Sequence, residues 1–298
     1  MKILVLRGGA LGDLILTLPV LGEIRKSYPQ ADLELLGIFP QAWLAAPKFV
    51  DRVDRIDAQA LVPLFVDGLL PQIVRNRLHG VDLAVSFLSD PDSLVARNLT
   101  AAGVNQVIAF SNKMRPDLHA VFQFAEVLGP LGLTLHDPVP KLAIGPKPAP
   151  ASRLGFHVGS GSPQKNWPIG HWIELTQSLD GFFDDFLLIG GEADSKVVHE
   201  FRARCGVRRL TTLLNASLAD LCQSLNGCSV FIGHDTGVTH LAAAVGIPTV
   251  ALFGPTNPKV WAPLGEHVRV VRSPDNLMES IQVATAAAET YRQKRIGV

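Results

Sequence analysis

The sequence predicts an α/β protein made of two domains, each containing a parallel β-sheet. Short apolar runs alternate along the chain with segments in which apolar residues recur at helical spacing. A stretch with five prolines in fifteen residues, 136–150, separates two such alternating halves. The chain also has 298 residues, which is the length of two typical domains.

The composition limits the classes of protein to which the chain can belong. The 27 basic residues balance 27 acidic ones, so no excess of positive charge favours a nucleic-acid partner. A hydrophobic content of 47% argues against disorder, and the longest apolar run, 241–253, is too short to span a membrane. We expect a monomer that works in the cytoplasm or at the inner face of the cytoplasmic membrane, with at most peripheral membrane contact.

In the first half, glycine turns and polar segments separate the apolar runs. The pattern predicts strands at 2–7, 32–38, 82–87 and 105–110, and helices at 12–27, near Pro91 and at 117–131. Pro19 lies inside the first of these helices and predicts a kink or a restart. Asp117 is the expected N-cap of the last one.

The alternation resumes after the prolines. The expected strands are 154–158, 186–189, 229–232 and 248–253, and the expected helices are 168–179, 194–204, 218–225, 236–245 and 275–292. Such alternation requires parallel strands joined by right-handed crossovers, as in Rossmann-like domains. We assign 1–137 to an N-terminal domain, 138–150 to a linker and 151–298 to a C-terminal domain, and expect the final helix to pack back on the N-terminal domain. Ligands of such sheets bind at the carboxyl ends of the strands.

The first candidate site is the segment RGGALGD, residues 7–13, where a strand turns through glycines into a helix. Amides at the start of a helix lack partners and can bind an anion. Asp13 is either a first-turn acid favoured by the helix dipole or a general base. The acids Asp32 and Glu34 stand at the beginning of the second strand rather than at its end, which disfavours a dinucleotide oxidoreductase.

Two further candidate loops follow strands of the second half. In HVGSGSPQKNWP, residues 157–168, hydroxyls and glycine amides suit phosphate oxygens. Lys165 is either a cation for that phosphate or a solvated loop lysine, and His157 is interpreted as a packed strand residue. Glu192 follows a strand-end glycine turn, where it either accepts hydrogen bonds from a ribose or caps the next helix.

The most specific candidate is the stretch 231–256, where a buried strand delivers GHDTG to the N-terminus of an alanine-rich helix. Amides there can hold a pyrophosphate, and Thr236 or Thr239 can add hydroxyl contacts. Phosphate would repel the carboxylate of Asp235, which therefore suits a sugar hydroxyl better. His240 either lies near the same site or bonds back to the start of the helix.

A possible metal motif occurs once. Asp90-Pro91-Asp92 has the D-x-D spacing of some metal sites, but aspartate before proline near a helix start is ordinary turn and cap chemistry. We expect no metal there.

In this order on two Rossmann-like halves, these stretches resemble the ADP-heptose:lipopolysaccharide heptosyltransferase family, glycosyltransferase family 9, which has the GT-B fold. The resemblance covers nearly the whole chain and is most specific in GALGD (9–13), K-x-W-P (165–168) and HDTGVTHLAAAVGIPTVALFGPT (234–256). It implies two parallel sheets facing across a cleft. It also implies an inverting, metal-independent transfer of heptose from ADP-heptose to a hydroxyl of a lipopolysaccharide-core or related glycan acceptor. The nucleotide sugar is then a co-substrate, and no other cofactor is expected.

The resemblance also implies residue roles. Asp13 and Lys165 are the expected catalytic residues, with Asp13 as the base and Lys165 on the donor phosphates. The expected donor-binding residues are Ser160, Lys165, Glu192, Asp235, Thr236, Gly237, Thr239 and His240, and the expected acceptor loop holds Gly9, Ala10 and Gly12. Gly9 and Ala10 stand where family members often carry hydroxyl residues, which leaves the acceptor and the donor sugar open. The alternatives are a transferase with another donor sugar and a catalytically silent nucleotide-sugar-binding protein of the same fold.

Overall fold

A computed structural model describes residues 1–111, 113–146, 152–207 and 209–296, apart from the side chain of residue 296. The chain divides into two compact units, Met1–Pro138 and Val139–Val298. Across these ranges, no helix is long and apolar enough to cross a membrane.

In the described residues of the first unit, five parallel strands form one sheet. The strands are β1 (Lys2–Arg7), β2 (Asp32–Gly37), β3 (Arg52–Arg55), β4 (Leu83–Ser86) and β5 (Gln106–Ala109). Their order, β3-β2-β1-β4-β5, places β1 in the centre. Residues 3–7 of β1 are all buried, as expected when both faces of a parallel sheet are covered.

The helices of the first unit connect these strands. They are α1 (Leu11–Ser27), α2 (Gln72–Leu78), α3 (Leu94–Ala101) and α4 (Ala120–Phe124), with 3-10 turns at Gln41–Ala45, Gln59–Phe65 and Ala125–Leu131. Helix α1 continues through Pro19, which excludes a restart. The missing amide of Pro19 removes one hydrogen bond, while ten residues of this helix are buried against the core.

The long helix expected at 117–131 is a wrong prediction. Helix α4 has five residues, and the chain then tightens into the 3-10 turn that contains Pro130. Proline lacks the amide that a longer α-helix would need at this position. The N-cap is His119 rather than Asp117, because the Nδ1 atom of His119 accepts a hydrogen bond from the amide of Val121 at 3.3 Å.

The second unit has a larger sheet, with six parallel strands in its described part. These are β6 (Arg153–His157), β7 (Asp185–Gly190), β8 (Leu210–Leu214), β9 (Val230–His234), β10 (Thr249–Phe253) and β11 (Val268–Arg272), in the order β11-β10-β9-β6-β7-β8. The helices are α5 (Ile169–Ser178), α6 (Ser195–Arg204), α7 (Leu218–Asn226), α8 (Gly237–Ala244), α9 (Pro258–Trp261) and α10 (Val283–Ile296). The predicted pair of parallel α/β sheets is confirmed.

In the described part of the chain, the sequence prediction missed three strands, β3, β8 and β11, and all three lie at sheet edges. An edge strand needs no continuous apolar run, and charged residues are common there. The sequences RVDR of β3 and VRVVR of β11 have this character. The continuous apolar runs that mark buried parallel strands are found in central strands such as β1 and β9.

The final helix and the proline-rich segment both contact the second unit. Helix α10 begins at Val283 rather than at the predicted Asp275, and it packs on α5, β9, β10 and β11 of its own unit. Residues 147–150 of the expected linker, and residue 151 after it, lie outside the described residues. In the described part, the amide of Leu142 donates to the carbonyl of Ala244 at 2.7 Å, so this part is anchored to the end of α8.

His234, the last residue of β9, joins three segments of the second unit. It is fully buried, and its Nε2 atom accepts a hydrogen bond from the amide of Trp167 at 2.8 Å. The Nδ1 atom therefore carries the proton and donates to the carbonyl of Gly159 at 3.1 Å. Burial lowers the pKa of His234 from its ordinary value of 6.5 to about 3. The ring is thus neutral at neutral pH and links the loop after β6 to β9.

The low pKa of His234 predicts an acid-dependent loss of stability. Between about pH 6.5 and 3, the unfolded state binds a proton on this ring that the folded state does not. The free energy of unfolding should therefore fall by up to about 1.4 kcal/mol per pH unit from this group alone. We expect His234→Asn to be less stable than the wild type at pH 7, with a difference that narrows as the pH falls. Urea unfolding at several pH values measures this, and a constant difference between pH 7 and 4.5 would contradict it.

Candidate functional site

The first group of candidate residues surrounds the start of α1. The chain leaves β1 at Arg7 and enters the helix at Leu11, with Asp13 in the first turn. The Oδ2 atom of Asp13 accepts a hydrogen bond from the amide of Ala10 at 2.9 Å. The side chain is 32% exposed, so this carboxylate is fixed by the backbone and is still open to solvent.

Gly9 makes this arrangement possible. Its φ angle is +87°, and a Cβ atom added there would lie 2.7 Å from the Oδ2 atom of Asp13. Its carbonyl accepts a hydrogen bond from the side chain of Gln41 at 2.9 Å. Gly9 and Ala10 are exposed and Gly12 is half-buried, so the predicted loop residues adjoin Asp13 and line the start of the helix.

The second group lies in the second unit and is centred on an ion pair. Lys165 ends a short 3-10 turn, Pro163–Lys165, in the loop after β6, and Asp235 directly follows β9. The Nζ atom of Lys165 lies 2.9 Å from the Oδ2 atom of Asp235. The two side chains are 29% and 11% exposed, so the pair is shielded from water without being closed to it.

Asp235 has a second partner on helix α8. The Nε2 atom of the buried His240 lies 3.7 Å from the Oδ1 atom of Asp235. Burial alone would raise the pKa of Asp235, but His240 and Lys165 outweigh that effect and lower it. Asp235 is therefore ionised at neutral pH. Among the atoms that the structure describes, the buried Nδ1 atom of His240 has no hydrogen-bond partner.

The start of α8 adds backbone donors beside this pair. Thr236 has extended N-cap geometry, and Gly237 is the first helical residue. The hydroxyl of Thr239 donates to the carbonyl of His234, and it lies 3.4 Å from the hydroxyl of Thr236. The first amides of a helix have no partner within the helix and carry its positive dipole end. An anion placed there would also face Lys165.

Ser160 and Glu192 are not brought into direct contact with this pair. The Oγ atom of Ser160 lies 2.6 Å from both the carbonyl of Ser162 and the side-chain oxygen of Asn166. Glu192 is exposed in a 3-10 turn after β7. Within the described ranges, no hydrogen bond joins either residue to the Lys165–Asp235 pair.

A buried pair that the sequence analysis missed supports the same loops. The Nε2 atom of His157 lies 2.8 Å from the Oδ2 atom of Asp194, which also accepts the amide of Gly191 at 2.9 Å. The Nδ1 atom of His157 lies 3.5 Å from the hydroxyl of Thr236. Burial favours a raised pKa for Asp194, but the hydrogen bonds with His157 and Gly191 lower it. The sequence signal that could have identified this pair is its position. His157 ends β6, and Asp194 lies in the turn that follows the adjacent strand β7.

The D-x-D segment serves as a helix cap. The two carboxylate oxygens of Asp90 accept hydrogen bonds from the amides of Val95 and Ala96, at 3.2 and 3.0 Å, at the start of α3. No group of three or more His, Cys, Asp or Glu side chains suited to a metal occurs in the parts of the chain that are described.

Asp194 packs so closely against Gly159 that a single methyl group added at Gly159 should lower the stability of the fold. A Cβ atom at Gly159 would lie 1.9 Å from the Oδ1 atom of Asp194, whereas one at Gly161 meets nothing within 4 Å. We expect Gly159→Ala to lower the free energy of unfolding by about 1–3 kcal/mol. The matched control Gly161→Ala should stay within about 0.5 kcal/mol of the wild type. Urea unfolding compares the two variants, and equal stability would show that the pair is not tightly packed.

The sequence of this chain is similar to those of a known protein family and of several curated proteins. The family model described as glycosyltransferase family 9 (heptosyltransferase) matches residues 112–291. Lipopolysaccharide heptosyltransferase 2 of Escherichia coli K12 is 32% identical over 124 residues, which are 40% of this chain and 36% of that protein. The chain thus matches about a third of the length of this curated relative. Lipopolysaccharide heptosyltransferase 1 of E. coli K12 is 23% identical, over 93% of this chain and 96% of its own length.

Solved structures have the same fold. A glycosyltransferase of family 9 from Veillonella parvula has a TM-score of 0.83 at 19% identity, covering 99% of this chain and 97% of its own. E. coli heptosyltransferase WaaC, solved with ADP, has a TM-score of 0.78 at 19% identity, covering 98% and 100%. WaaC solved with ADP-2-deoxy-2-fluoro heptose has a TM-score of 0.74 at 20% identity, covering 99% and 100%. Because the family model matches more than half of the residues of this chain, the chain belongs to glycosyltransferase family 9.

Proposed function

We propose that this protein is an inverting glycosyltransferase that transfers heptose from ADP-heptose to a hydroxyl of a lipopolysaccharide-core or related glycan acceptor. The observation that carries the proposal is the Lys165–Asp235 pair, 2.9 Å apart, beside the N-terminus of α8. The names of the curated relatives and the ligands solved with the E. coli enzyme support this choice of donor.

The second unit binds the donor in this proposal. The diphosphate lies at the start of α8, where the amides after Thr236 and the Nζ atom of Lys165 face negative charge. The ionised carboxylate of Asp235 accepts hydrogen bonds from hydroxyls of the donor sugar, and His240 lies on its other side. Charge grows on the leaving phosphate oxygen in the transition state, so fixed amides and a nearby cation stabilise it.

Asp13 is the base in this proposal. Its carboxylate removes the proton of the acceptor hydroxyl while the oxygen of that hydroxyl forms a bond to the anomeric carbon. The bond from that carbon to the diphosphate breaks, and its electron pair stays on the leaving oxygen. Attack from the face opposite the leaving group inverts the configuration. The partial exposure of Asp13 leaves it accessible to such a hydroxyl.

The remaining expected contacts complete the proposal. Ser160 lines an open cavity of about 300 Å³ with Asn166, Lys196 and Glu200, a volume at the lower end of ligand pockets. We assign part of the nucleotide to this region, with Glu192 on the ribose. The loop of Gly9, Ala10 and Gly12 faces the acceptor. The monomeric state and the location at the inner face of the cytoplasmic membrane stay predictions.

A donor panel tests the proposed function. Purified protein is incubated with a lipopolysaccharide-core acceptor and with ADP-heptose, UDP-sugars or other ADP-sugars, and the released nucleotide and the glycosylated product are measured. We expect product from ADP-heptose. If product forms only from another donor, the sugar of that donor, and not heptose, is the one that the protein transfers. Tight ADP binding without product from any donor would favour the catalytically silent alternative.

Replacement of the base should separate catalysis from binding. We expect Asp13→Asn to lower kcat by about 10²–10⁴-fold, the range that general base catalysis contributes. ADP affinity should stay unchanged, because the donor residues belong to the second unit. Steady-state kinetics and calorimetric titration with ADP measure both effects. The control Asp57→Asn changes a 53% exposed aspartate of the same unit and should keep full activity. Loss of ADP binding in Asp13→Asn would refute the role of base.

Replacement of the lysine should instead weaken donor binding. A charge-assisted hydrogen bond contributes about 1.5–3 kcal/mol, so we expect Lys165→Ala to weaken ADP binding by about 10- to 100-fold. The control Arg292→Ala removes a 68% exposed cation of the same unit and should leave the affinity unchanged. Calorimetric titration compares the two variants with the wild type. Unchanged ADP affinity in Lys165→Ala would mean that this lysine only pairs with Asp235 and does not bind the donor.

A further inference from the structure

Arg7, the last residue of β1, is a buried cation directly behind Asp13. It is 7% exposed, and its guanidinium lies over two aromatic rings, 5.7 Å from the centre of Phe87 and 4.7 Å from that of Phe124. We propose that Arg7 is a positioning residue that fixes the carboxylate of Asp13 in the orientation needed for proton removal. This inference rests on the proposed role of Asp13 as base.

The contacts of Arg7 converge on Asp13. Its Nη2 atom donates to the backbone carbonyl of Asp13 at 2.9 Å and lies 3.4 Å from the Oδ1 atom of the same residue. The other carboxylate oxygen accepts the amide of Ala10. The hydroxyl of Thr17 donates to the same backbone carbonyl at 2.8 Å. Both oxygens of the carboxylate and its own backbone are therefore held from the protein side.

An arginine that served only to fill space would be unfavourable at this position, because burial removes its charge from water. Burial lowers the pKa of Arg7 to about 10, against the opposite effect of the Asp13 charge, so the group is still charged at neutral pH. Among the described residues, its buried Nε atom has no hydrogen-bond partner. A methionine would fill the space between two rings without desolvating a charge. The bonds to Asp13 give a reason for arginine at this position.

The aromatic rings restrict the movement of the guanidinium. Phe124 lies edge-on to Phe87 and to Phe110, with centroid distances of 6.1 and 5.3 Å. The Nη1 atom of Arg7 also lies 3.4 Å from the carbonyl of Phe87. These contacts hold the guanidinium in the conformation from which it reaches Asp13. A base held in one orientation keeps the geometry of attack, and a misplacement of about 1 Å can lower a rate 10²-fold.

The test combines two substitutions of Arg7 with a double-mutant cycle. We expect Arg7→Met to lower kcat by about 10- to 100-fold, with the KM for the donor and the ADP affinity unchanged. Arg7→Lys keeps the charge and should recover part of kcat. In an Asp13→Asn background, in which product is counted over long incubations, Arg7→Met should add little further loss, because the two residues act as one unit.

Arg25 provides the matched control for this cycle. It is another largely buried arginine of the first unit that donates to backbone carbonyls, including that of Ala31 at 2.9 Å. We expect Arg25→Met to lower the melting temperature and to leave kcat close to that of the wild type. Any effect it has on kcat should multiply with that of Asp13→Asn.

Several outcomes would overturn the inference. Unchanged kcat in Arg7→Met, or a loss that multiplies with that of Asp13→Asn, would reduce Arg7 to a structural residue. If Arg7→Met does not fold, Arg7→Lys decides, since its loss of kcat must also disappear in the Asp13→Asn background. Full activity in Asp13→Asn, or no transfer by the wild type, would instead overturn the proposed function and this inference with it.

Discussion

Parallel strand pairing is the constraint on which both groups of candidate residues depend. All strands of a parallel sheet have their carboxyl ends on the same side of the sheet, and the chain must leave each of these ends through a loop or a helix start. Lys165 lies in the loop that follows β6, and Asp235 directly follows β9. Because β6 and β9 are neighbours in the sheet, side chains 70 positions apart in the sequence meet at 2.9 Å.

The local arrangement of charges, rather than the total charge of the chain, determines the electrostatics of the candidate site in the second unit. The chain carries no net charge, yet an ionised aspartate, a lysine and the positive end of α8 meet at one place. The nearby His234 lacks charge because burial lowers its pKa far below neutrality. The loop is thus tied to the sheet by a neutral ring, and the charged contact that this loop makes is the pair of Lys165 with Asp235.

Much of this arrangement was predictable from local sequence, but the supporting contacts were not. The apolar runs of central strands and the glycine turns after them identified the segments of Asp13, Lys165 and Asp235. The His157–Asp194 pair depends on β6 lying beside β7, which is a tertiary fact. The packing of the buried Arg7 on Phe124 likewise joins residues that are distant in sequence. The short α4 depended on the proline that follows it in the 3-10 turn.

The edge strands have a consequence for the behaviour of the protein in solution. A sheet edge offers unpaired backbone groups to any other extended chain, and charged side chains oppose such pairing. Strand β3 carries Arg52 and Arg55, and β11 carries Arg269 and Arg272. These arginines made the two strands hard to recognise in the sequence. The same residues oppose pairing of these two strands with another extended chain, so the features that obscure β3 and β11 in the sequence also guard the two sheet edges that they form.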